Sequence, residues 1–562
     1  MELKKELEIE LSEAVLGLVD EKFDPQIVIP EDLEKGDFST NIAMRLGGNF
    51  ESSMEAGEKV VEKLRERKEF YSRFARIELV KPGFINFWLS NEELEKVIQS
   101  AVKGIEARQE ESSLIFEFGD LNPFKEPHIG HLRNLALGES LARLLEFNGV
   151  KVVRANYQGD VGMHVAKCLW GILQAESPKS RLESLENEEL EVRAKFLGES
   201  YRLGAERFET DENAKNEIIS INNKIYTKDA EIMHIWEIGR RWSLDYFEDL
   251  YKKLGIKYEK YYFESEVALM GREIVENNLD VFETDNRAFV FRAEQFGLHT
   301  RVFVNSMGHP TYEAKDLALA FLKNKDFPEI DRSIIMTANE QIDYFKVLLK
   351  ALEKIDVKIA TKSFHLSFGF VNLKEGKMSS RSGNIVNANW LLDETKKLLK
   401  KGFKKVPDEV LDELSVGAVK WSMLKFSRES DMSFSLEESV DLAGYSGPYM
   451  QYTYARIISL LEKSQNHDLE AISVKNPDKE LLALMRLVCQ FKTVAKDASD
   501  RFSPNHLTQY LFVLAQNFNS FYEKEKIIGG ENEKEILSVL VAAKNTIGKG
   551  LDLLGISTPE KI

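Results

Sequence analysis

The sequence contains little cysteine and no long hydrophobic run. Its 562 residues include two cysteines, Cys168 and Cys489, which lie far apart and outside any Cys-x-x-Cys pair. Their number and spacing exclude a disulfide framework and a structural zinc site built on thiolates. No stretch approaches the roughly 20 apolar residues that a membrane span needs, and the charged opening MELKKELEIELSEAV lacks the apolar core of a signal peptide. We therefore expect a cytoplasmic protein without membrane contact.

The chain is acidic, with a formal net charge of −17 at pH 7. This charge argues against indiscriminate binding to nucleic acid or anionic lipid, but it is compatible with a localised basic groove on an otherwise acidic body. Hydrophobic residues make up 43% of the chain and charged residues 30%, as is typical of folded globular proteins. A chain of this length is too long for one ordinary core, so we expect several domains.

The pattern of apolar residues divides the chain into three regions. Residues 1–100 mix helical periodicity with two strand-like runs around a Pro-Gly step, which predicts a small α+β domain. Residues 101–410 begin as strand, loop, helix and strand, which predicts a doubly wound parallel sheet. Charged helical sequence between about residues 170 and 290 is predicted to be an insertion into that sheet. Residues 411–562 carry long amphipathic patterns, which predict an all-α domain.

Two of the nine histidines lie three residues apart in the sequence HIGH, residues 128–131. HIGH follows a predicted strand and opens a helical pattern, where unpaired amides and the helix dipole favour anions. Gly130 removes a side chain where a nucleotide would approach the backbone. His128 and His131 can share one helix face and donate hydrogen bonds to phosphate oxygens. The alternative is a pair of ordinary histidines at a helix start, and the motif alone does not decide between the two.

A second short motif, KMSSRSGN at residues 377–384, follows the last predicted strand. Its lysine can pair with a triphosphate, and its small hydroxyl-bearing residues suit a loop that closes over the ligand. Taken alone, the motif is better explained as an ordinary basic surface loop.

Together and in this order, the two motifs resemble the paired signatures of class I aminoacyl-tRNA synthetases. Further segments resemble arginyl-tRNA synthetases over nearly the whole chain, with the charged insertion the least specific part. These segments are KGDFSTNIAMRLG, KPGFINFWLS, EFGDLNPFKEPHIGHLRN, ANYQGDVGMHVAK, TYEAKDLALA, TANEQIDYF, FHLSFGFV and AGYSGPYMQYTYARIISLLEK. The resemblance implies a Rossmann-type catalytic domain with a helical insertion, an N-terminal domain that contacts tRNA and a C-terminal helical domain that binds the anticodon.

The resemblance also implies the reaction. L-Arginine is activated with ATP to arginyl-adenylate, pyrophosphate is released, and the arginyl group passes to the 3′-terminal adenosine of tRNA-Arg. Bound tRNA is expected to be required for the activation step. The expected ligands are ATP, L-arginine and tRNA-Arg, with Mg²⁺ as the counter-ion of ATP and no structural metal. We expect the enzyme to be a monomer.

The same resemblance assigns the ATP site. The expected ATP contacts are His128, Gly130, His131, Lys377, Met378 and Ser379. The loop departs from the common Lys-Met-Ser-Lys-Ser pattern, because Ser380 stands where the second lysine would be. Either Lys125, three residues before His128, or Arg381 can supply the missing positive charge. The expected catalytic residues are His128, His131, Lys377 and Lys125.

An arginine site needs acceptors, because a guanidinium is a planar fork of hydrogen-bond donors. Tyr312 and Asp316 lie four residues apart in TYEAKD, so on a helix they face one side and can hold the guanidinium together. The resemblance adds Glu264 as a further acidic contact, for which a solvated charge beside a strand is the alternative. It also assigns the α-amino group of arginine to Asn122 and Gln341. The nearby carboxylate is then Glu117.

Polar and aromatic residues at the start of the helical domain suit contacts with tRNA. The expected tRNA contacts there are Tyr449, Gln451, Tyr452 and Arg456, and Asn41 is a further expected contact in the N-terminal domain. Aromatic rings offer stacking faces for splayed single-stranded bases. Aromatic residues at helical spacing are also often core residues, so some of these tyrosines are expected to be buried.

Other functions fit the sequence less well. A cysteinyl enzyme of the same class would need thiolate zinc ligands that two cysteines do not supply. A glutamyl or glutaminyl enzyme would need a basic pocket in place of Asp316. A tRNA-binding paralogue without catalytic activity is disfavoured because the expected site residues are all present, namely His128, His131, Lys377, Tyr312 and Asp316.

Overall fold

The computed structural model describes residues 3–19, 23–30, 32–374, 386–464, 474, 477–530 and 532–562. The helices are α1 (Leu3–Leu16), α2 (Ile42–Leu46), α3 (Ser53–Glu66), α4 (Lys68–Tyr71), α5 (Asn91–Lys103), α6 (Ile129–Phe147), α7 (Met163–Leu173), α8 (Pro178–Leu185), α9 (Leu190–Thr210), α10 (Glu212–Tyr226), α11 (Ala230–Lys253), α12 (Glu264–Asn277), α13 (Tyr312–Asp326), α14 (Ile342–Ile355), α15 (Val357–Lys362), α16 (Ala388–Gly402), α17 (Asp408–Leu424), α18 (Leu436–Ser439), α19 (Gly447–Lys463), α20 (Lys479–Asp500), α21 (Pro504–Lys524) and α22 (Glu533–Leu553). The strands are β1 (Phe38–Thr40), β2 (Phe74–Val80), β3 (Phe84–Leu89), β4 (Ser112–Glu117), β5 (Val150–Gln158), β6 (Lys260–Phe263), β7 (Glu283–Asp285), β8 (Ala288–Phe291), β9 (Arg301–Val304), β10 (Arg332–Ala338), β11 (Ser363–Phe368), β12 (Val371–Leu373) and β13 (Met432–Phe434).

The chain forms two compact units. The larger unit contains Ala107–Pro448 and Leu553–Ile556, and the smaller contains Met1–Glu106, Tyr449–Asp552 and Ser557–Ile562. Within the described ranges, no helix is long and apolar enough to cross a membrane.

A five-stranded parallel sheet is the centre of the larger unit. Its strand order is β11-β10-β4-β5-β6, and each neighbouring pair is parallel. The chain begins in the middle at β4, moves outward through β5 and β6, and then returns to the other side of β4 through β10 and β11. This reversal creates a crevice at the carboxyl ends of β4 and β10, where α/β proteins bind ligands. The sheet confirms the predicted Rossmann-type fold.

Helix α6 is the crossover between β4 and β5. Its leucines are buried, among them Leu132, Leu135, Leu141 and Leu144, and they give the helix an apolar face toward the rest of the unit. Burial of such a face is the main source of helix stability in a protein. The first turn of α6, which contains HIGH, is thereby fixed at the crevice.

The predicted helical insertion lies between β5 and β6. Helices α7 to α11 share a hydrophobic core that includes Trp170, Leu197, Ile218 and Trp242. They end at Lys253, well before residue 290, because β6 returns to the parallel sheet at residues 260–263. The charged sequence of the insertion therefore reflects the outer faces of helices that bury a core of their own.

A small antiparallel sheet, β7-β8-β9, follows α12. It leads directly into α13, and its inner residues Phe291 and Phe303 share a core with Ala314 and Leu317 of that helix. This packing fixes α13 beside the crevice, with its first residues at the open end.

The smaller unit combines both ends of the chain. Its first segment contains the three-stranded antiparallel sheet β1-β3-β2, in agreement with the predicted α+β composition. Its last segment contains α20, α21 and α22, in agreement with the predicted helical domain. Arg486 Nε donates to Asp37 Oδ1 at 2.6 Å, and Asn545 Nδ2 donates to the carbonyl of Ala101 at 2.8 Å. The two segments are therefore joined by buried polar contacts within one unit.

Candidate active site

Two adjoining cavities open at the carboxyl ends of β4 and β10. The first has a volume of about 600 Å³, and we call it the histidine cavity because His128, Gly130 and His131 line it. The second has a volume of about 440 Å³, and we call it the acidic cavity because four buried or half-buried carboxylates line it. Those carboxylates are Glu117, Asp120, Glu264 and Asp316. The residues that line both cavities are Asp120, Asn122, Thr337, Glu340 and Gln341.

The two histidines are held by the backbone at the start of α6. Gly130 N donates to His128 Nδ1 at 3.1 Å, and His128 N donates to His131 Nδ1 at 3.1 Å. The ring centroids are 3.8 Å apart. Because each Nδ1 accepts a hydrogen bond, the neutral form of each imidazole carries its proton on Nε2. Each histidine therefore presents one N–H donor.

Burial keeps both imidazoles neutral. It lowers the pKa of His128 to about 4, with a further contribution from the charge of Lys125. Burial also lowers the pKa of His131 well below its usual value, and His128 and Lys125 add to this effect. At neutral pH the cavity thus offers uncharged donors, of the kind that stabilise charge developing on phosphate oxygens.

Gly130 keeps the His128 ring in place by having no side chain. A Cβ at this position would lie 3.0 Å from His128 Cε1 and 3.1 Å from Nδ1. The ring would have to move by a few tenths of an ångström to accept it. A larger residue at this position would therefore displace the His128 ring.

Arg133, one turn further along α6, holds a second segment that lines the histidine cavity. Its guanidinium is fully buried and donates to the carbonyls of Phe370, Ser427, Arg428 and Ser430 at 2.7–3.2 Å. Burial lowers its pKa to about 10, so it remains charged at neutral pH. The segment around Phe370, which lines the cavity, is thereby tied to the helix that carries HIGH.

All six residues that the sequence assigns to arginine line the acidic cavity. They come from the end of β4, the loop before α6, the start of α12, the first turn and a half of α13, and the turn before α14. These residues are Glu117, Asn122, Glu264, Tyr312, Asp316 and Gln341. Tyr312 and Asp316 lie on α13 as predicted, and Tyr312 is half-exposed at the open end of the cavity.

Asp316 is a half-buried carboxylate with a neutral partner. Tyr344 Oη donates to Asp316 Oδ2 at 2.6 Å. Burial raises the pKa of Asp316 to about 7, and the nearby charge of Glu117 adds to the rise, whereas the bond from Tyr344 opposes it. Within the described part of the chain Asp316 forms no ion pair, so its charge is available to a cationic ligand.

Two of the other carboxylates are already balanced by buried lysines of α13. Glu117 forms an ion pair with Lys323, and Glu264 forms one with Lys315. Glu264 is 4% exposed, so it is not the solvated charge beside a strand that was the alternative from the sequence. Burial raises the pKa of Glu264 and Lys315 opposes that rise. The two ion pairs neutralise the charges of Glu117 and Glu264, so the cavity stays polar without accumulating several unpaired negative charges.

Lys125 lies at the acidic cavity, whereas the sequence assigned it to the phosphates. It lines that cavity with Asn122 and Tyr157. Its Nζ is 4.8 Å from the centroid of the Tyr201 ring on α9, a cation–π contact. It lies close enough to His128 to lower that pKa. A role for Lys125 at the phosphates stays a prediction.

The second sequence motif lies outside the described residues. Lys377, Met378, Ser379, Ser380 and Arg381 fall between residues 374 and 386. Their assignment to ATP stays a prediction.

The structure adds residues that the motifs did not indicate. They are Asp120, Tyr157, His164, Thr337, Glu340, Tyr344 and Phe345 in the acidic cavity, and Asn134, Phe368, Phe370 and Asn372 among those in the histidine cavity. His164 Nε2 lies 2.8 Å from the carbonyl of Gly159, and burial lowers its pKa to about 3. Asp120 and Asn134 stand within the quoted signature segment, so their positions beside HIGH were a usable signal. Tyr344 stands within the quoted segment TANEQIDYF, but no local pattern pairs it with Asp316, because only the folded chain brings the two together.

On α19 and α21 of the smaller unit, two tyrosines flank an arginine. The Cζ of Arg456 lies 5.0 Å from the ring centroid of Tyr452 and 5.5 Å from that of Tyr522. Both rings are more than a third exposed, and Arg456 Nη1 donates to Asn519 Oδ1 at 2.6 Å. We call Tyr452, Arg456 and Tyr522 the tyrosine platform. Tyr522 was not predicted, because it lies about 70 residues along the chain on another helix.

The other predicted tRNA contacts are less accessible. Gln451 is fully buried and its Nε2 donates to the carbonyl of Ser557 at 2.9 Å. This geometry does not fit the predicted tRNA contact, because the side chain presents no surface to a ligand. Tyr449 packs edge-on against Phe512 and accepts a hydrogen bond from Asn519. Asn41 precedes α2, and its Oδ1 is buried without a hydrogen-bond partner among the described residues.

Within the residues that the structure describes, no group of three or more His, Cys, Asp or Glu side chains is arranged to hold a metal ion.

Comparison with known families supports the same organisation. The family described as "tRNA synthetases class I (R), catalytic domain" matches residues 93–436. "Arginyl tRNA synthetase N terminal domain" matches residues 1–89, and "DALR anticodon binding domain" matches residues 450–562.

Individual proteins agree with these matches. The chain is 31% identical over 540 residues to an arginine–tRNA ligase from Flavobacterium psychrophilum, covering 90% of this chain and 88% of that protein. It is 29% identical over 523 residues to one from Bacteroides fragilis, covering 85% and 86%. Its fold is similar to the solved arginyl-tRNA synthetase of Thermus thermophilus, with a TM-score of 0.80, 22% identity and coverage of 99% and 100%.

The parallel sheet, the HIGH sequence at the first strand–helix junction and the catalytic-domain match define a class I aminoacyl-tRNA synthetase. Such an enzyme activates an amino acid with ATP and transfers it to tRNA. The chain belongs to the arginyl-tRNA synthetase family. Its activity is that of an arginine–tRNA ligase.

Proposed function

We propose that the acidic cavity binds L-arginine and that the histidine cavity binds ATP. The observation that carries this proposal is the convergence of six residues, chosen from the sequence alone, on one cavity of about 440 Å³. They come from five separate places along the chain. The cavity is large enough for one arginine side chain, and it opens into a second cavity whose donors suit phosphate.

The guanidinium of arginine would lie against Tyr312 and Asp316. Asp316 is half-buried, lies outside any ion pair of the described residues, and is oriented by Tyr344. A half-buried carboxylate outside any ion pair is well matched to a guanidinium, because charge-assisted hydrogen bonds are stronger where water is partly excluded. Glu264 is held by Lys315 and supplies a further acceptor at the same wall.

The carboxylate of arginine would meet the α-phosphate of ATP where the two cavities join. Asn122 and Gln341 line both cavities and can accept from the α-amino group there. Attack by a carboxylate on the α-phosphorus needs no general base, so catalysis depends on positioning and on stabilising the charge of the leaving pyrophosphate. The Nε2–H groups of His128 and His131 are the donors that this step requires.

We propose that Lys377, Met378 and Ser379 complete the ATP site and that Mg²⁺ arrives bound to ATP. Phosphate oxygens are ligands that Mg²⁺ prefers, so the ion needs few protein ligands of its own. The support for the loop residues is their resemblance to the family pattern.

The tyrosine platform is proposed to stack on bases of tRNA-Arg. Its support is the exposure of Tyr452 and Tyr522 and the arginine between them, since aromatic and guanidinium planes bind unpaired bases. Asn41 and Tyr449 are proposed as further contacts. The proposal also includes a requirement for tRNA during activation, a monomeric enzyme and a cytoplasmic location.

Arginine-dependent exchange between pyrophosphate and ATP, with and without tRNA-Arg, tests the proposal. We expect exchange with tRNA and little or none without it. Exchange in both conditions would contradict only the requirement for tRNA, and the assignment of the two cavities would stand. Absence of exchange in both conditions would contradict the assignment of the two cavities to arginine and ATP.

A further inference from the structure

Asp120 is one of two acidic residues that line both cavities, and Glu340 is the other. Glu117, Glu264 and Asp316, by contrast, line the acidic cavity. Within the described residues Asp120 takes part in no ion pair. It thus differs from Glu117 and Glu264, whose charges are balanced by lysines.

A tight turn after β4 places Asp120 at the junction of the two cavities. The chain leaves β4 through Gly119 and Asp120, whose φ angles are 96° and 46°. A Cβ at Gly119 would lie 2.4 Å from Tyr258 Oη and 2.8 Å from Asn156 Nδ2, so the turn requires a glycine there. Gly119 N donates to Asn134 Oδ1 of α6 at 3.0 Å, which ties the turn to the helix of HIGH.

The left-handed conformation of Asp120 is unusual for a residue with a side chain. Aspartate and asparagine tolerate it better than other residues, and glycine would adopt it freely. The only hydrogen bond described for the Asp120 carboxylate is a long one of 3.5 Å from Tyr157 N to Oδ1. Burial raises its pKa well above the usual value and the charge of Glu117 adds to this, whereas the charge of Lys323 and the Tyr157 N–H oppose the rise. The ionised carboxylate is therefore poorly stabilised by its surroundings, and its one described hydrogen bond is long.

The reaction places a cation at this point. For the carboxylate of arginine to reach the α-phosphate, its α-carbon must lie where the cavities join, and the ammonium group is attached to that carbon. Of the two acidic residues at the junction, Glu340 is exposed to solvent and Asp120 is half-buried. Charge interactions are stronger where water is partly excluded, so Asp120 is the better partner.

We propose that the Asp120 carboxylate binds the α-ammonium group of the amino-acid substrate and so fixes the substrate carboxylate toward ATP. This inference rests on the assignment of the acidic cavity to arginine. It gives Asp120 a substrate-binding role distinct from that of Asp316: one carboxylate holds the α-ammonium end, and the other holds the guanidinium end.

The test uses Asp120→Asn with two arginine analogues. 5-Guanidinopentanoate keeps the guanidinium and carboxylate but lacks the amine, whereas agmatine keeps the guanidinium and amine but lacks the carboxylate. Each is measured as a competitive inhibitor of arginine charging by the full-length chain with ATP and tRNA-Arg. Asparagine has the same shape and tolerates a positive φ, so the variant is expected to fold, which an unchanged Tm verifies.

We expect Asp120→Asn to raise the KM for L-arginine and the inhibition constant of agmatine by about tenfold or more, the value of a charge-assisted hydrogen bond. The inhibition constant of 5-guanidinopentanoate should change by less than about threefold, since that ligand has no amine to lose. Equal weakening of all three ligands, or an unchanged KM for L-arginine, would overturn the proposal.

Two further variants separate the possible causes. Asp316→Asn should weaken all three ligands, because each has a guanidinium; if it weakens none of them, the assignment of the acidic cavity fails. Glu340→Gln removes a charge from the same junction and should act more weakly than Asp120→Asn. If Glu340→Gln shows the same preference for amine-bearing ligands at the same size, the contact is not made by Asp120.

Discussion

At the scale of single residues, the backbone decides the chemistry of the HIGH histidines. His128 begins α6 as its N-cap, and its Nδ1 accepts from Gly130 N. His128 also lines the histidine cavity, and its Nε2–H is the donor that the ring retains. One imidazole thus has a structural use and a proposed phosphate-binding use, on opposite ring nitrogens.

These two uses can be separated by substitution. His128→Asn keeps an N-cap acceptor but has no donor that reaches as far as Nε2, whereas His128→Ala loses both. We expect both variants to lower kcat for arginine charging by about a hundredfold, as for the loss of one donor to a transition state. Only His128→Ala should also lower the free energy of unfolding, by about 1 kcal/mol. Full activity in His128→Asn would show that the histidine serves only as a cap.

Asp316 gives the arginine site a pH dependence. Its pKa is raised to about 7, so the carboxylate is protonated and neutral below that pH and charged above it. Because the charged form holds a guanidinium better, kcat/KM for arginine should rise with pH and level off above about 7. His128, with a pKa of about 4, does not titrate in this range. The step should be absent in Asp316→Asn, and a step that persists there would belong to another group.

At the scale of secondary-structure elements, α6 shows what the sequence could predict. The leucine spacing and HIGH placed the helix and its proposed ligand-binding end. The same sequence gave no indication that Arg133 donates to carbonyls around residues 370 and 430, because those partners lie more than 200 residues away. Local periodicity predicts an element, and the contacts of its polar residues depend on the folded chain.

Two glycines of α6 should respond in opposite ways to alanine. At Gly130 the new Cβ would press on the His128 ring at 3.0–3.1 Å, while alanine favours the helix by up to about 1 kcal/mol. Gly130→Ala should therefore keep or increase stability and lower kcat. At Gly138 the new Cβ would lie 2.2 Å from the Phe118 ring, so Gly138→Ala should cost about 1–3 kcal/mol of stability.

Chemical unfolding and charging kinetics measured on both variants check this pair. Loss of stability in Gly130→Ala, or unchanged stability in Gly138→Ala, would contradict the packing described for α6.

For the whole molecule, the sequence predicted the kind of secondary structure in each region better than it predicted which regions pack into one compact unit. An α+β region, a parallel-sheet region and a helical region were all expected, and each is present. The first and last segments nevertheless belong to one compact unit. The contact between Asp37 and Arg486 that helps to join them spans about 450 residues, and no local pattern indicates such a pair.

In the candidate site too, the sequence predicted individual residues but not all of the partners that they contact in the fold. The residues of the acidic cavity were identified through their resemblance to a family, and the structure brings them together. Tyr344 and the lysines that balance Glu117 and Glu264 were not foreseen, because buried charges find their partners only in the folded core. The motif at residues 377–384 lies outside the described residues, so the sequence alone supports its role.

The tyrosine platform should affect tRNA binding and little else. Tyr452→Ala removes a stacking face and should raise the KM for tRNA-Arg by about tenfold, in the range of one base–aromatic stack. Tyr452→Phe keeps the ring and should behave like the unmodified protein. The KM for arginine at saturating tRNA should be the same in both. If Tyr452→Phe is as impaired as Tyr452→Ala, the hydroxyl rather than the ring makes the contact.

The assignment of the acidic cavity to arginine is decided by two KM values, one for arginine and one for ATP, measured for Asp316→Asn during charging of tRNA-Arg at pH 8. Asparagine has the same shape, and at this pH the carboxylate it replaces is charged. We expect the KM for arginine to rise by at least about tenfold, the loss of a charge-assisted hydrogen bond, and the KM for ATP to stay within about twofold of its original value. An unchanged KM for arginine, or an equal rise in both, would contradict the assignment of the acidic cavity to arginine.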